Sequence, residues 1–161
     1  MQFRKILLIV ILFLFTSLNM HAQRDYSAGI GIRSWPYWGV TFKQFVTEQT
    51  ALELIVSYKW EGVMVDGLYE FHHNTFNTSN FNLLYGFGGH TGWWGNDSTD
   101  TPYLKYDQHV SVGLNAIVGL EYSFDEIPSS ISVDWKPLFI IAQHTGVDLE
   151  NISFSVRYNI K

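Results

Sequence analysis

The sequence predicts an all-β fold: a single eight-stranded antiparallel up-and-down transmembrane β-barrel. Three observations lead there. First, apolar and polar residues alternate strictly over long runs. From Ile152 to Ile160 the apolar set Ile152, Phe154, Val156, Tyr158 and Ile160 opposes Ser153, Ser155, Arg157 and Asn159. Side chains on a strand point alternately to its two faces, so one face is apolar and the other polar. Second, beyond residue 22 no apolar run approaches the ~18 residues of a membrane-spanning helix, so a membrane protein of this composition must cross as strands. Third, aromatic residues make up 17% of the chain and charged residues only 16%. A soluble domain carries about a quarter charged residues.

The elements follow in order. Residues 1–22 read as a signal peptide: Arg4 and Lys5, the apolar run Ile6–Phe15, then a polar stretch to Ala22. Residues 23–161 are then the barrel. The first strand, Asp25–Ser34, sets Tyr26, Ala28, Ile30 and Ile32 against Ser27, Gly29, Gly31 and Arg33. The second, Tyr37–Val46, sets Trp38, Val40 and Phe42 against Gly39, Thr41 and Lys43. The third, Ala51–Trp60, sets Leu52, Leu54, Val56, Tyr58 and Trp60 against Glu53, Ile55, Ser57 and Lys59. The fourth, Met64–His73, sets Val65, Tyr69 and Phe71 against Asp66, Glu70 and His72.

The fifth, Asn80–His90, sets Phe81, Leu83, Tyr85 and Phe87 against Asn82, Gly86, Gly88 and His90. The sixth, His109–Phe124, is the longest, with Val110, Val112, Leu114, Ala116, Val118, Leu120, Tyr122 and Phe124 on one face. The seventh, Ser130–Ile141, sets Ile131, Val133, Trp135 and Phe139 against Ser132, Asp134 and Lys136. The eighth is Ile152–Ile160. Each is near the ~9–11 residues a tilted strand needs to cross a bilayer.

Alternation does not by itself say which face is inside. A soluble periplasmic barrel that binds an apolar ligand would turn the apolar face inward. Here the apolar face is crowded with large residues, and the other holds Gly, Ser, Asn and charges. Small residues suit the narrow interior of eight strands, which favours a lipid-facing apolar surface. The polar face then forms a closed lumen with a charge network: Arg33, Lys43, Lys59, Lys136 and Arg157 against Glu53, Asp66, Glu70, Glu121 and Asp134. Five oppose five, as burial demands pairing. Aromatics gather at both strand ends, Tyr26, Phe71, Phe81, Tyr122, Phe124 and Tyr158 at one and Trp35, Tyr37, Trp38, Tyr58, Trp60, Trp93 and Trp94 at the other. That is the pattern of interfacial girdles. Trp135 lies mid-strand, outside either girdle.

Several segments carry a resemblance. They are Met20-His21-Ala22-Gln23, Gly119-Leu120-Glu121-Tyr122-Ser123-Phe124, Ile127-Pro128, Ser132-Val133-Asp134-Trp135-Lys136-Pro137 and Ser155-Val156-Arg157-Tyr158. The chain resembles small outer-membrane β-barrel proteins of the Bacteroidota. The resemblance covers the C-terminal third and implies location and fold, with no settled activity. The implied partners are membrane lipid and the outer-membrane insertion machinery, which would read Phe154, Tyr158 and Ile160.

Chemistry is sparse. The chain has no cysteine and no basic run, so neither thiol chemistry nor nucleic acid is indicated. His72, His73, His90, His109 and His144 are available to a lipid-modifying enzyme, but no Gly-x-Ser-x-Gly motif accompanies them. The acidic segment Asn96–Asp100 lacks EF-hand spacing and reads as a solvated loop. No catalytic residue, metal or cofactor is expected. The connection Thr91–Gln108 is the longest break in the alternation. Its Trp93, Trp94, Asp97, Asp100, Tyr103 and Tyr106 mix aromatic anchors with polar groups. The expected role is structural or adhesive, with an extracellular ligand or protein meeting this loop. The alternatives are the lipid-modifying enzyme and the soluble ligand carrier.

Overall fold

The computed structural model describes residues 26–59, 62–76, 78, 80–94, 110–141 and 146–161, with Lys59 and Trp94 as backbone only. These residues form strands and connections, with no helix among them. The strands are β1 (Ala28–Ser34), β2 (Trp38–Phe45), β3 (Thr50–Lys59), β4 (Gly62–Asn74), β5 (Phe81–Trp94), β6 (Val110–Ser123), β7 (Ser129–Trp135), β8 (Leu138–Ile140), β9 (Gly146–Asp148) and β10 (Ile152–Ile160). All pairings are antiparallel, and β1 pairs with β10 to close the ring.

The ten segments make eight barrel strands. β8 continues β7, and β9 precedes β10 in the same stave. The seventh stave is interrupted at Pro137, which has no N–H for the ladder. Its register on β6 is nevertheless kept, with Val118 opposite Trp135 and Asn115 opposite Leu138. The eighth stave carries a β-bulge. Trp135 faces Ile152 while Leu138 faces Asp148, so one extra residue lies on the β9–β10 side. Asp148 and Asn151 both turn inward across it, while Leu149 and Glu150 stay exposed.

The bulge explains Trp135. A bulge frees backbone groups from the ladder, and the Trp135 indole N–H donates to the Leu149 carbonyl at 2.7 Å. The Glu150 amide donates to the Asp148 carboxylate at 3.1 Å. A mid-height indole on an apolar surface needs such a partner.

The paired residues also give the shear. From Ile32, the pairs run through Val40, Val56 and Val65 to Thr91 in one direction. In the other they run through Val156, Ile131 and Tyr122 to Phe81. Both arrive on β5, ten residues apart, so eight strands close with a shear of 10. With standard strand spacings this means a tilt of about 40° and a radius of about 8 Å. Side chains fill an interior of that size.

The period-two reading holds along most of the wall, with large apolar side chains outward. Ile32 is 58% exposed and Leu114 56%, while Arg157 is 1% exposed and Lys43 fully buried. There are three departures. Tyr26, expected on the outer face with Ala28, is buried at the mouth, and its phenol donates to Glu121 Oε1 at 2.5 Å. β1 begins only at Ala28, so Tyr26 escapes the pleat, and a buried carboxylate draws a donor inward. The lumen is not polar throughout: Ile55, Leu68, Leu84 and Ile117 form a buried apolar cluster on the β3–β6 wall. Finally, β5 runs on to Trp94, beyond the strand end expected at His90.

Candidate functional site

Nine of the ten charged residues of the expected lumen network lie inside the barrel. Strand alternation puts them there, and the apolar cluster divides them into two groups. The tenth, Lys59, has its side chain outside the described residues.

The group nearer the chain termini centres on Lys43 of β2. Its ammonium lies 2.8 Å from Glu70 Oε2, 3.2 Å from Glu121 Oε2 and 3.8 Å from Glu53 Oε2. Arg157 of β10 supports the same carboxylates, with Nη2 at 2.5 Å from Glu53 and Nη1 at 3.3 Å from Glu121. Nη1 also donates to the Ser132 hydroxyl at 2.8 Å. The Thr41 hydroxyl donates to Glu53. Five strands thus converge on two cations and three carboxylates. His72 joins this group, its Nε2 3.0 Å from Glu70. Alternation puts it on the inward register, but a histidine carries no fixed sign to match against the charges. Phe45 packs edge-on against the His72 ring at 4.9 Å and against Tyr26 at 5.2 Å. Tyr26, Phe45 and Ala51 form an apolar plug at this mouth.

The group nearer the far end pairs Arg33 with Asp134, two bonds from one guanidinium. Lys136 donates to Asp66 Oδ1 at 2.6 Å, and Asn115 donates to the same oxygen at 2.5 Å. His90 is hydrogen-bonded to Asn115. Gly113 allows this: a Cβ there would meet the Phe139 carbonyl at 2.1 Å and the His90 ring at 2.6 Å. Asn115 and His90 were legible as inward-facing but not as links in the network, because their neutral side chains carry no sign to match.

Each interior charge is therefore held by groups from other strands. Removing either partner would leave a buried charge unpaired, which fixes register as well as neutrality. Of the remaining histidines, His73 is exposed and bonded to the Tyr85 hydroxyl at 3.1 Å. His109 and His144 lie outside the described residues. Among the described residues no group of three or more His, Asp or Glu is arranged to hold a metal ion.

On the outer face, rings meet in sequence near the terminal end of β4–β6. Phe71 stacks on Tyr85 at 5.4 Å, Phe81 meets Tyr122 at 4.7 Å, and Tyr122 meets Phe124 at 5.0 Å. At the far end Trp35, Trp38, Tyr58 and Trp93 are exposed. Of the candidate partner-binding residues, Trp93 sits in β5 opposite Val110, and Trp94 is described by its backbone alone. Asp97, Asp100, Tyr103 and Tyr106 lie outside the described residues.

A solved structure shares this architecture. It is the N-terminal β-barrel domain of Pseudomonas aeruginosa OprF. The two superpose with a TM-score of 0.65 at 16% sequence identity, over 86% of this chain and 100% of that one. At that identity the likeness establishes the fold: a closed eight-stranded antiparallel β-barrel. No family model and no curated protein matches the chain.

Proposed function

We propose that this chain is a small barrel of a Gram-negative outer membrane, exported by its N-terminal leader and filled by a salt-bridged lumen. Its role is structural or adhesive, and partners meet the loop at its far end. One observation carries the membrane reading. The barrel is inside-out relative to a soluble protein: its core holds Arg157, Lys43, Glu70 and Glu121, and its surface holds Leu, Ile, Val and aromatic side chains. An exposed apolar area of that extent needs a covering, and lipid is the covering that fits a closed wall on every side. The shared fold with the OprF domain agrees. The Bacteroidota resemblance rests on the sequence motifs alone. Phe154, Tyr158 and Ile160 all point outward on the last strand, where insertion machinery would read them.

Cell fractionation with a heat-modifiability gel tests this reading. The protein should enter the outer-membrane fraction and migrate faster unheated than boiled. Recovery in the soluble periplasmic fraction would overturn it. A lipid-modifying enzyme would show as lipid A altered in cells that express the chain.

A further inference from the structure

The barrel wall has unequal heights. At the shear and tilt given above, each residue climbs about 2.5 Å along the axis, and each step from β1 towards β5 climbs about 3 Å. Measured from Ile32, the terminal ends of all eight staves then lie within a few ångströms of one level, about 9–13 Å below. The far ends do not. Trp38 on β2 lies about 8 Å above that reference, Trp93 on β5 about 18 Å and Val110 on β6 about 20 Å. The strand lengths say the same: β1 and β2 have 7 and 8 residues, β5 and β6 have 14 each.

The tall side is apolar to its top. Val110, Val112, Leu114, Phe139, Ile141 and Val147 are all exposed there. On the short side the apolar surface stops at Trp35 and Trp38, both more than 70% exposed. A flat bilayer fits neither arrangement. If it reaches Trp93, it covers the irregular backbone of the turn between β1 and β2, which hydrocarbon does not tolerate; if it stops at Trp38, it leaves the apolar crest of β6 in water. Tilting the barrel would level the far rim but would unlevel the terminal rim, which is already even.

We propose that the bilayer follows the wall: the leaflet at the far end is drawn down along β1–β2 and stands full height along β5–β8. The β1–β2 face is thus a lipid-thinning surface, with the Trp35 and Trp38 rings at the lowered interface. Hydrophobic mismatch is relieved by local thinning at modest cost per ångström. The occupant of both faces is lipid, because apolar side chains continue without a gap from mid-height to the crest. This inference rests on the membrane reading above.

The chain has no native cysteine, so single nitroxide labels report depth directly. The labels go on Trp38→Cys, Leu114→Cys, Ile30→Cys, Leu120→Cys and Val118→Cys, each folded in dilauroyl phosphatidylcholine vesicles; Ile30 and Leu120 face outward at nearly one height on opposite sides of the barrel. Collisions with oxygen and with a water-soluble nickel chelate are compared. Leu114 stands higher on the barrel than Trp38. The expected result is nevertheless that the label at 38 meets the nickel chelate several-fold more than the label at 114, with labels at 30 and 120 equally deep. A label at 114 that is shallower than the one at 38 means a flat interface and overturns the inference. Unequal depths at 30 and 120 mean whole-barrel tilt and overturn it too. The Val118 label separates the two readings: if it meets the chelate freely in folded protein, the membrane reading itself fails. If Trp38→Cys does not fold, Val40→Cys against Val112→Cys gives the same comparison.

Discussion

Arg157 touches Glu53, Glu121 and Ser132 from one guanidinium. Its planar fork supplies donors in several fixed directions, which the point charge of an ammonium does not. Replacing it with Met leaves two buried carboxylates short of a cation. The expected cost is about 3–5 kcal/mol, the range for breaking a buried ion pair by removing one member. Urea titration of the refolded barrel measures it. A cost below ~1 kcal/mol would mean that Lys43 alone neutralises the cluster. Arg157→Lys should fall between, because it keeps the charge and loses the fork. Trp135 gives a second test at this scale. Trp135→Phe keeps the ring and removes the N–H that meets the Leu149 carbonyl at 2.7 Å. The carbonyl is then unpaired on an apolar surface, and the loss should be about 1–2 kcal/mol. Trp38→Phe at the rim should change stability by less than about 0.5 kcal/mol.

Neighbouring residues on one strand have opposite surroundings, which makes β6 a sharp test of orientation. Val118 faces outward at 41% exposure, and Ile117 faces the lumen at 3%. Val118→Arg should cost about 2–4 kcal/mol in lipid, the midplane value for a charge on a barrel. Ile117→Ala should cost about 2–5 kcal/mol for a different reason, a cavity beside Ile55, Leu68 and Leu84. Lipid refolding titrations measure both, and a negligible effect at Val118 would mean that its side chain does not meet hydrocarbon. The strand is also where sequence was most readable. Alternation is a local property, so the faces of β3, β6 and β10 follow from the residues in order. What escaped was non-local. Tyr26 turns inward because Glu121, 95 positions away, needs a donor. The bulge at Leu149–Asn151 depends on how many residues β7–β8 opposes to it. The apolar lumen cluster needs four strands side by side, and each contributes one residue to it from a face that is otherwise mostly polar or small. Within the charge network, residue identity revealed the members and their near-balance. The partner of each was not legible, because pairing depends on the shear.

Across the whole molecule, the rigid parts leave little freedom. Salt bridges and apolar side chains fill the lumen, and every stave is paired on both edges. A barrel held this way is a platform, and variable chemistry belongs on its connections. The connections at the terminal end are short, Val46–Gln49 and Phe124–Pro128 among them, whereas 15 residues separate β5 from β6. The two strand ends that anchor that connection, Trp94 and Val110, belong to the tall side of the wall. Replacing residues 95–108 with an Asn-Gly turn should leave folding intact, since Trp93 already pairs with Val110 and one residue on each side then flanks a two-residue hairpin turn. The heat-modifiability shift should persist and stability should change by less than about 1 kcal/mol, as long loops contribute little beyond closure entropy. Any adhesion or ligand binding by cells that display the chain should disappear. A shortened protein that folds and keeps its full binding would move the contact surface to the remaining far-end turns, where Trp35, Tyr37 and Trp38 are the residues to replace next.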